Sequence, residues 1–309
     1  MILNCGEALI DMVASQTSDG LPAFTPHSGG AVMNTAVALG RLGVPSGFFA
    51  GLSSDMFGAQ LKAHLTESHV GYELCPISDA PTTLAFVKLE NGQAKYAFFD
   101  ENTALRTLST DALPAIPETI DALFFGGISL AYGPCAESYE QLMLREADRR
   151  VTMIDPNIRP SFVRDEAAFR ARLKRMIGAS DILKLSDEDL EWLEGAGEFS
   201  ERAHSLLAKG PKLVLITQGS DGATAYHTNY AVHVPANPVD LRNSDTIGAG
   251  DTFNAGILAS LHESGLLTKS AIAELSEEDA KAALNYGMKT ARVTVSRKGA
   301  NPPWKHELD

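Results

Sequence analysis

The run Asn-Ser-Asp-Thr-Ile-Gly-Ala-Gly-Asp-Thr-Phe-Asn at 243–254 constrains the fold of this chain more than any other stretch. Gly248, Ala249 and Gly250 have little or no side chain, so their backbone N–H groups can come close to an anion. The residues that follow have helical periodicity, which predicts a loop that leads into a helix. The N-terminus of such a helix is a natural phosphate site, because its free N–H groups and the positive end of its dipole face the ligand.

Asp251 follows these glycines at once. A carboxylate beside a phosphate is unfavourable for binding alone, but it is suited to accept a proton next to a phosphoryl group. The simpler alternative is that Asp251 only caps the helix. For an isolated Gly-x-Gly-Asp we would favour that alternative, because short glycine motifs often occur by chance.

The longer string Asp-Thr-x-Gly-Ala-Gly-Asp-Thr-Phe at 245–253 resembles the signature of the PfkB, or ribokinase-like, family of sugar and nucleoside kinases. The resemblance implies an α/β fold of the ribokinase-like class, with a mainly parallel, doubly wound sheet flanked by helices and a small β-sheet lid. It also implies ATP-dependent phosphoryl transfer to a primary hydroxyl of a small sugar. In that reaction Asp251 is the general base, the amides of Gly248, Ala249 and Gly250 form the anion hole, and Mg²⁺ bridges the β and γ phosphates.

Strand-like and helix-like segments alternate along the chain, which by itself predicts a mainly parallel sheet with helices on both faces. In such sheets ligands bind beyond the carboxyl ends of the strands, where Asp11, Lys184 and Thr217 are predicted to lie. The predicted strands are 2–13, 47–52, 122–126, 151–154, 182–185 and 213–217. The predicted helices are 32–42, 55–68, 137–150, 167–177 and one that begins near Ser276.

Asn91-Gly92 is a strong hairpin signal between the strand-like segments 82–89 and 93–99. The residues alone favour an edge hairpin. The family resemblance favours a lid over the substrate, with Phe98 and Tyr96 on one face. We therefore expect lid segments at roughly 12–26 and 82–104 within a single domain of residues 1–309, and the lid could also form a homodimer contact.

Gly29-Gly30-Ala31-Val32-Met33-Asn34 resembles the N-terminal motif of the same family. The paired glycines let a substrate approach the main chain, and Asn34 offers a donor and an acceptor to a hydroxyl. The resemblance assigns Gly29, Gly30 and Asn34 to the substrate, with Asp11 accepting from two sugar hydroxyls. From Asp11 alone, a role in satisfying backbone donors is equally open.

The stretch Asp155-Pro156-Asn157-Ile158-Arg159 resembles the Asp-x-Asn-x-Arg loop of fructokinases and 2-keto-3-deoxygluconate kinases within this family. Asn157 and Arg159 are thereby assigned to substrate. Arg159 would present a planar donor fork to substrate oxygens or to the transferring phosphoryl group. Arg106 resembles a sugar-contacting arginine of the keto-deoxy-sugar kinases, although the local sequence favours a solvated side chain.

The nucleotide contacts are read from the segment 183–222. Lys184 matches a family lysine that reaches the ATP phosphates, and Ser186 begins the Ser-x-x-Asp string that replaces the family's Asn-x-x-Glu. The turn that starts at Thr217 and includes Gly219 and Gly222 resembles the family segment against the triphosphate.

Two metal sites follow from the same resemblance. Asp189, with Glu188 as a rival, would arrange Mg²⁺ and its waters, but Ser186 and Asp189 could equally form a helix capping box. A potassium ion is expected at backbone carbonyls, although Pro303 replaces a serine of that site. Those carbonyls belong to Asp245, Ile247, Thr294, Arg297 and Gly299. The adenine pocket is expected between the last helix and the 235–243 loop.

Composition and motif searches exclude several other classes. A net charge of −13 argues against nucleic-acid or anionic-membrane binding as the main activity. The three cysteines lack zinc or redox spacing and suit a reducing compartment. The N-terminus has no signal-peptide pattern, so we expect a cytoplasmic enzyme. No Gly-Lys dipeptide is present, which excludes a Walker A loop.

The opening Gly-Glu-Ala-Leu-Ile-Asp at 6–11 and the Asp155 loop look most like fructokinases, so fructose to fructose 6-phosphate is the first expectation. The rival is 2-keto-3-deoxygluconate kinase, which needs a cation for the substrate carboxylate; Arg106 or Arg159 could supply it. Ribokinase and aminoimidazole riboside kinase activities stay open. A hypothesis of another class is a non-catalytic sugar or nucleotide sensor.

Overall fold

The computed structural model describes residues 1–90, 93–237 and 246–308 of the chain. The predicted hairpin turn at Asn91 and Gly92 lies outside these residues, as do Asp245 and most of the 235–243 loop.

The strands are β1 (Ile2–Cys5), β2 (Leu9–Gln16), β3 (Pro22–Gly29), β4 (Ser46–Phe49), β5 (Leu52–Ser53), β6 (Val70–Gly71), β7 (Ile77–Ser78), β8 (Leu84–Glu90), β9 (Gln93–Phe99), β10 (Ala122–Gly126), β11 (Val151–Asp155), β12 (Ile182–Ser186), β13 (Leu213–Thr217), β14 (Ala223–His227) and β15 (Tyr230–Val234). The helices are α1 (Ala31–Arg41), α2 (Met56–Glu67), α3 (Cys135–Glu146), α4 (Glu166–Gly178), α5 (Asp187–Glu194), α6 (Phe199–Leu207), α7 (Ala249–Glu263), α8 (Lys269–Ala273) and α9 (Glu277–Val295).

The main sheet of the described residues has nine strands in the order β15-β14-β13-β12-β11-β10-β1-β4-β6. The pairs from β13 through to β6 are parallel, and β14 and β15 extend one edge as an antiparallel hairpin. The sheet order moves outward in both directions from the centre, as in a doubly wound fold. The predicted fold class is therefore confirmed.

Both faces of this sheet are covered, which explains why its central strands are continuously apolar rather than alternating. All five residues of β10 are buried. Neighbouring side chains of β10 enter different cores: Phe124 belongs to the cluster that includes Leu39 of α1, and Phe125 to the cluster that includes Leu142 of α3. Among the described residues, no helix has the length and apolar character needed to cross a membrane.

A second sheet, in the order β3-β2-β8-β9, is made from the two segments that were predicted to leave the main sheet. The prediction of one strand over 2–13 is wrong, because the chain leaves the main sheet after Cys5 and enters the second sheet at Leu9. Glu7 lies at this break. Its carboxylate accepts the backbone N–H groups of Ala31 (3.1 Å) and Ser129 (3.2 Å).

This break changes the origin of one site residue. Asp11 belongs to β2 of the second sheet rather than to the end of a main-sheet strand. The second sheet therefore places the Asp11 carboxylate at the carboxyl edge of the main sheet.

Candidate active site

A cavity of about 290 Å³ lies at the carboxyl edge of the main sheet, between that sheet, the second sheet and the N-terminus of α7. Its walls come from segments that are far apart in sequence. The predicted residues among those that line it are Asp11, Gly30, Asn34, Phe98, Asn157, Arg159, Lys184, Ile247, Gly248, Gly250 and Asp251.

Asp251 is buried in the first turn of α7, and Gly248, not Asp251, occupies the N-cap position. The Asp251 carboxylate accepts a hydrogen bond from Nδ2 of Asn34 at 2.9 Å. Burial raises the pKa of Asp251 to about 7, with a further rise from Asp155, while the Asn34 hydrogen bond, Lys184 and Arg159 lower it. A carboxylate with this proton affinity, inside a cavity, has the properties of a general base.

The loop before α7 has the backbone geometry that the glycines allow. Gly248 has φ 75°, a left-handed conformation, and a Cβ placed on it would lie 2.7 Å from the Cβ of Ala300. The prediction for Ala249 needs correction, because its N–H donates to the carbonyl of Thr246 at 3.2 Å and the residue does not line the cavity. This internal bond closes the turn that presents Gly248 and Gly250.

Helix α1 supplies the side chain that orients the carboxylate. Asn34 lies one turn into α1, and the hydroxyl of Thr35 donates to the backbone carbonyl of Asp251 at 3.2 Å. Gly30 has φ 105°, and a Cβ there would meet the carbonyl of Glu7 at 2.7 Å. The glycine at 30 is thus needed for the close approach of this helix start to the chain that enters the second sheet.

Asp11 faces the cavity beside Gly29. A Cβ on Gly29 would lie 2.1 Å from Oδ2 of Asp11, so the glycine leaves room for this carboxylate. Burial, and then the negative charge of Glu7, raise the pKa of Asp11 to about 6. Burial also raises the pKa of Glu7, against the hydrogen bonds that it accepts. This wall of the cavity therefore carries two carboxyl groups, those of Glu7 and Asp11.

The loop after β11 brings Asn157 and Arg159 to the same cavity. Asn157 has φ 44°, and its N–H donates to Oδ1 of Asp155 at 3.2 Å. Arg159 is exposed at the cavity, and its guanidinium donates to the carbonyl of Ile158 at 3.1 Å.

Lys184 is buried in the middle of β12, and its Nζ donates to Oδ2 of Asp155 at 2.9 Å. Burial lowers the pKa of the Lys184 ammonium. The carboxylates of Asp155, Asp189 and Asp251 raise this pKa by more than burial lowers it, so the net change is upward. The ammonium is therefore charged where it lines the cavity. A Cβ on Gly250 would lie 3.2 Å from Nζ, so the lysine packs directly against the α7 loop.

The remaining predicted nucleotide residues lie along the same edge of the sheet but do not line the cavity. Ser186 and Thr217 are register partners at the ends of β12 and β13. Gly219 and Gly222 have φ 54° and 111° in the turn that follows, which the N–H of Gln218 closes by donating to the carbonyl of Gly222 at 2.8 Å. Around the α-carbon of Gly219 the space is open.

The predicted magnesium residues differ in their surroundings. Asp189 is buried and completes a capping box with Ser186, and it also accepts the N–H of Ile158 at 2.9 Å. Glu188 is exposed. Among the residues that the structure describes, no group of three or more His, Cys, Asp or Glu could hold a metal ion by itself.

Four of the predicted potassium carbonyls, those of Ile247, Thr294, Arg297 and Gly299, belong to described residues of the α7 loop and the C-terminal segment, which come together where Gly248 approaches Ala300. The carbonyl of Thr294 accepts the N–H of Arg297 at 3.0 Å, and that of Gly299 accepts the N–H of Asn301 at 2.8 Å. Asp245, the fifth residue of this set, lies outside the described part of the chain.

The prediction of a solvated Arg106 is wrong, and Arg106 does not line the cavity. Its Nε donates to Oδ2 of Asp100 at 2.9 Å, and its guanidinium lies over the ring of Tyr132, 3.4 Å from the centroid. Tyr132 in turn packs on Phe162, which contacts the cavity residue Phe98 with a centroid distance of 4.7 Å. In this structure the arginine packs behind the wall of the cavity, and its contact with a substrate stays a prediction.

Sequence reasoning missed Glu7 and Gly127 as lining residues. Gly127 has φ 70°, and a Cβ on it would lie 1.8 Å from the Glu7 carboxylate. Gly126 and Gly127, at the end of a buried strand and directly after it, were a signal that could have located this wall. No comparable signal in the sequence marked Glu7.

Comparisons with known proteins identify the family of this chain. The model of the pfkB family carbohydrate kinases matches residues 1–307. A fructokinase from Rhizobium leguminosarum bv. trifolii is 51% identical over 278 residues, which cover 90% of this chain and 85% of that protein. A fructokinase from Salmonella typhimurium is 32% identical over 268 residues, covering 85% of each. The crystal structure of a fructokinase with bound ATP from Xylella fastidiosa superposes with a TM-score of 0.88 at 27% identity, over 99% of this chain and 97% of that one. The chain belongs to the pfkB family of carbohydrate kinases.

Proposed function

We propose that this chain transfers the γ-phosphoryl group of ATP to the primary hydroxyl of fructose and forms fructose 6-phosphate. The observation that carries this proposal is the Asp251 carboxylate, held by Asn34 inside the cavity at the start of α7. The relatives named above support fructose and ATP as the substrates.

In this proposal Asp251 accepts the proton of the sugar hydroxyl as the hydroxyl oxygen bonds to phosphorus. The bond from phosphorus to the β-phosphate oxygen breaks, and ADP leaves with that electron pair. A pKa of about 7 keeps a large fraction of Asp251 ionised near neutral pH while making it a stronger base than an ordinary aspartate. Asn34 holds one carboxylate oxygen, and the other stays available to the hydroxyl.

The charge on the transferring group is met by groups that are already in place. The amides of Gly248 and Gly250 and the positive end of the α7 dipole form the anion site, and the ammonium of Lys184 lies against Gly250. Such preorganised donors stabilise charge in the transition state without reorganising during the reaction. Arg159 would contribute from the cavity mouth.

We propose that Mg²⁺ accompanies ATP and is held mainly by the phosphates, with Asp189 or Glu188 reaching it through water. Mg²⁺ binds carboxylate oxygens and retains several waters, which suits a site with few protein ligands. When bound, the ion would neutralise charge on the phosphates. The capping-box bonds of Asp189 leave lone pairs on its oxygens for a water contact.

Potassium is proposed at the carbonyls of Ile247, Thr294, Arg297 and Gly299, together with Asp245. A backbone carbonyl oxygen has two lone pairs, so one that accepts a backbone hydrogen bond, as that of Thr294 does from Arg297, can also bind a cation. Through the contact of Ala300 with Gly248, an ion here would stabilise the loop that carries the anion site.

The second sheet is proposed to act as a lid on the sugar within a single kinase domain of residues 1–309, with lid segments at roughly 12–26 and 82–104. It contributes Asp11 from β2 and Phe98 from β9 to the cavity wall. A dimer through the exposed apolar side chains of Phe24 and Phe99 in this sheet, and of Leu21 just before β3, stays part of the proposal.

The charges of the cavity favour a neutral sugar over one with a carboxylate. The sugar-facing wall carries Glu7 and Asp11, and Arg106 is held away from the cavity by Asp100. Arg106 and Arg159 are the two arginines considered as partners of a substrate carboxylate. Of these two, Arg159 alone lines the cavity. This arrangement ranks fructose above 2-keto-3-deoxygluconate.

The test is a coupled ADP-release assay with fructose, 2-keto-3-deoxygluconate, ribose and aminoimidazole riboside, each in potassium and in sodium buffer. The expected result is the highest kcat/KM for fructose and a higher rate in potassium. A preference for the carboxylate sugar would contradict the ranking. Absence of turnover with every sugar would favour the sensor hypothesis.

A further inference from the structure

Asp155 is a buried carboxylate directly behind the cavity. It is the last residue of β11, only 2% exposed, and it is not among the residues that line the cavity. A carboxylate in this position is costly unless its oxygens are fully hydrogen-bonded. Its partners therefore show what it is retained for.

Three donors from three different segments meet at this carboxylate. Oδ2 accepts from Nζ of Lys184 at 2.9 Å and from Nδ2 of Asn254 at 2.7 Å. Oδ1 accepts from the backbone N–H of Asn157 at 3.2 Å. The carboxylate thus joins β12, α7 and the loop after β11.

Each of these donors is adjacent to a group proposed to act in phosphoryl transfer. Lys184 itself lines the cavity beside Gly250. Asn254 lies three residues after Asp251, which is about one helical turn further along α7. Asn157 precedes Arg159 by two residues in the loop at the cavity.

The other end of the Asn254 amide supports the importance of its bond to Asp155. It is fully buried, and among the residues that the structure describes its Oδ1 has no hydrogen-bond partner. An unsatisfied buried carbonyl oxygen destabilises the fold. Retaining an asparagine here at that cost is explained by the bond that its Nδ2 donates to Asp155.

We propose that Asp155 is a positioning residue of the phosphoryl-transfer site, which holds the Lys184 ammonium against the α7 loop and fixes the first turns of α7 through Asn254. This inference rests on the proposed kinase function. It assigns to a residue outside the cavity the placement of both the lysine and the helix that carries Asp251.

The charge of Asp155 also acts on Asp251. The charged groups that face Asp251 from the surrounding elements are Glu7, Asp11, Asp155, Arg159 and Lys184. Of these, Asp155 raises the pKa of Asp251, whereas Lys184 and Arg159 lower it. Replacing Asp155 by a neutral residue removes the first effect and leaves the lysine charge uncompensated. Both changes lower the pKa of Asp251.

The chain offers a matched control at the opposite edge of the same strands. Asp181 immediately precedes β12, accepts Nζ of Lys269 at 2.7 and 2.8 Å, and accepts the N–H of Thr152 at 2.9 Å. Like Asp155, Asp181 has a buried carboxylate that forms an ion pair with a lysine. Each of these two carboxylates also connects β11 with β12. It lies at the amino ends of these strands, so it shares the structural role of Asp155 but not its proximity to the cavity.

The experiment compares Asp155→Asn and Asp181→Asn in kcat, in KM for fructose and in the pH profile of kcat/KM. For Asp155→Asn we expect kcat to fall about tenfold and the acid limb to move to lower pH by about one unit, the shift that corresponds to about 1.4 kcal/mol. The fructose KM should change by less than about twofold. For Asp181→Asn we expect a lower melting temperature with the acid limb unmoved.

The proposal would be overturned if the acid limb of the kcat/KM profile of Asp155→Asn coincided with that of the wild type. It would also be overturned if the acid limb of Asp181→Asn moved by the same amount. If Asp155→Asn does not fold, Asn254→Ala tests the tie to α7 while leaving the charges in place. Its kcat should fall about tenfold with no change in the acid limb, and a wild-type kcat would refute the tie. The titration of Asp251 can also be followed by ¹³C NMR without substrates. This measurement tests the role of Asp155 separately from the proposed kinase function, because it does not depend on which sugar is phosphorylated.

Discussion

Replacing Asp251 with asparagine separates catalysis from binding. Asparagine has nearly the same shape, and its side-chain oxygen can still accept the Nδ2 hydrogen bond that Asn34 donates to Asp251 at 2.9 Å. The variant cannot accept the hydroxyl proton. We therefore expect kcat to fall ~10²–10⁴-fold, the usual contribution of a general base, while ATP binding is retained.

The same substitution should stabilise the protein, and the magnitude follows from the pKa of Asp251. Burial raises this pKa from 3.8 to about 7. The folded state therefore binds more protons than the unfolded state between these values, and the stability contribution of Asp251 falls as the pH rises through that window. At about 1.4 kcal/mol per tenfold change in proton affinity, the ionised carboxylate costs up to about 4 kcal/mol above pH 7. The asparagine variant avoids this cost.

The assays are steady-state ADP release, calorimetric ATP binding, and urea unfolding at pH 5 and pH 8. The variant should be more stable than the wild type by up to about 4 kcal/mol at pH 8, with a smaller difference at pH 5. Asp279→Asn is the matched control, since Asp279 is the third residue of α9 as Asp251 is the third residue of α7. A near-wild-type kcat in Asp251→Asn, or an equal loss in Asp279→Asn, would refute the assignment of the base.

Three further predictions follow from the site and its support. The kcat/KM for fructose should fall about tenfold per pH unit below about pH 7, because only ionised Asp251 accepts a proton; a flat profile between pH 5 and pH 8 would disagree. Gly29→Ala should raise the fructose KM at least about tenfold, since its Cβ would lie 2.1 Å from Oδ2 of Asp11, and steady-state kinetics at constant ATP would measure this. Arg106→Gln should lower the free energy of unfolding by about 3 kcal/mol, because the buried Asp100 carboxylate loses its nearest cation and keeps the Tyr132 hydroxyl at 2.7 Å and Arg164 at 3.9 Å. An unchanged free energy of unfolding in urea at pH 7 would contradict this prediction.

Much of the main sheet could be predicted from the sequence, because its central strands are short apolar runs bounded by turn residues. The predicted strands 122–126 and 213–217 coincide with β10 and β13. The loop and helix around Gly248 were predictable for a different reason: glycines directly before a helical pattern mark a turn that needs a positive φ at the start of the helix, as Gly248 has. Local signals of this kind do not depend on distant parts of the chain.

The errors arose where distant contacts decide the local structure. Gly6 and Glu7 interrupt the apolar pattern of the run 2–13, but they do not show that the chain crosses from one sheet to another there, since Glu7 bonds to the distant Ala31 and Ser129. Arg106 looked like a surface residue because its partners, Asp100 and Tyr132, meet it only in the folded chain.

The central claim is that the Asp251 carboxylate faces the reacting hydroxyl of the sugar. A crystal structure of the chain with fructose and a non-transferable ATP analogue tests it most directly. We expect the 6-hydroxyl oxygen within about 2.6–3.2 Å of the Asp251 carboxylate, with the γ-phosphate analogue at the amides of Gly248 and Gly250. A sugar bound with that hydroxyl turned away from Asp251, or with another hydroxyl in its place, would contradict the account.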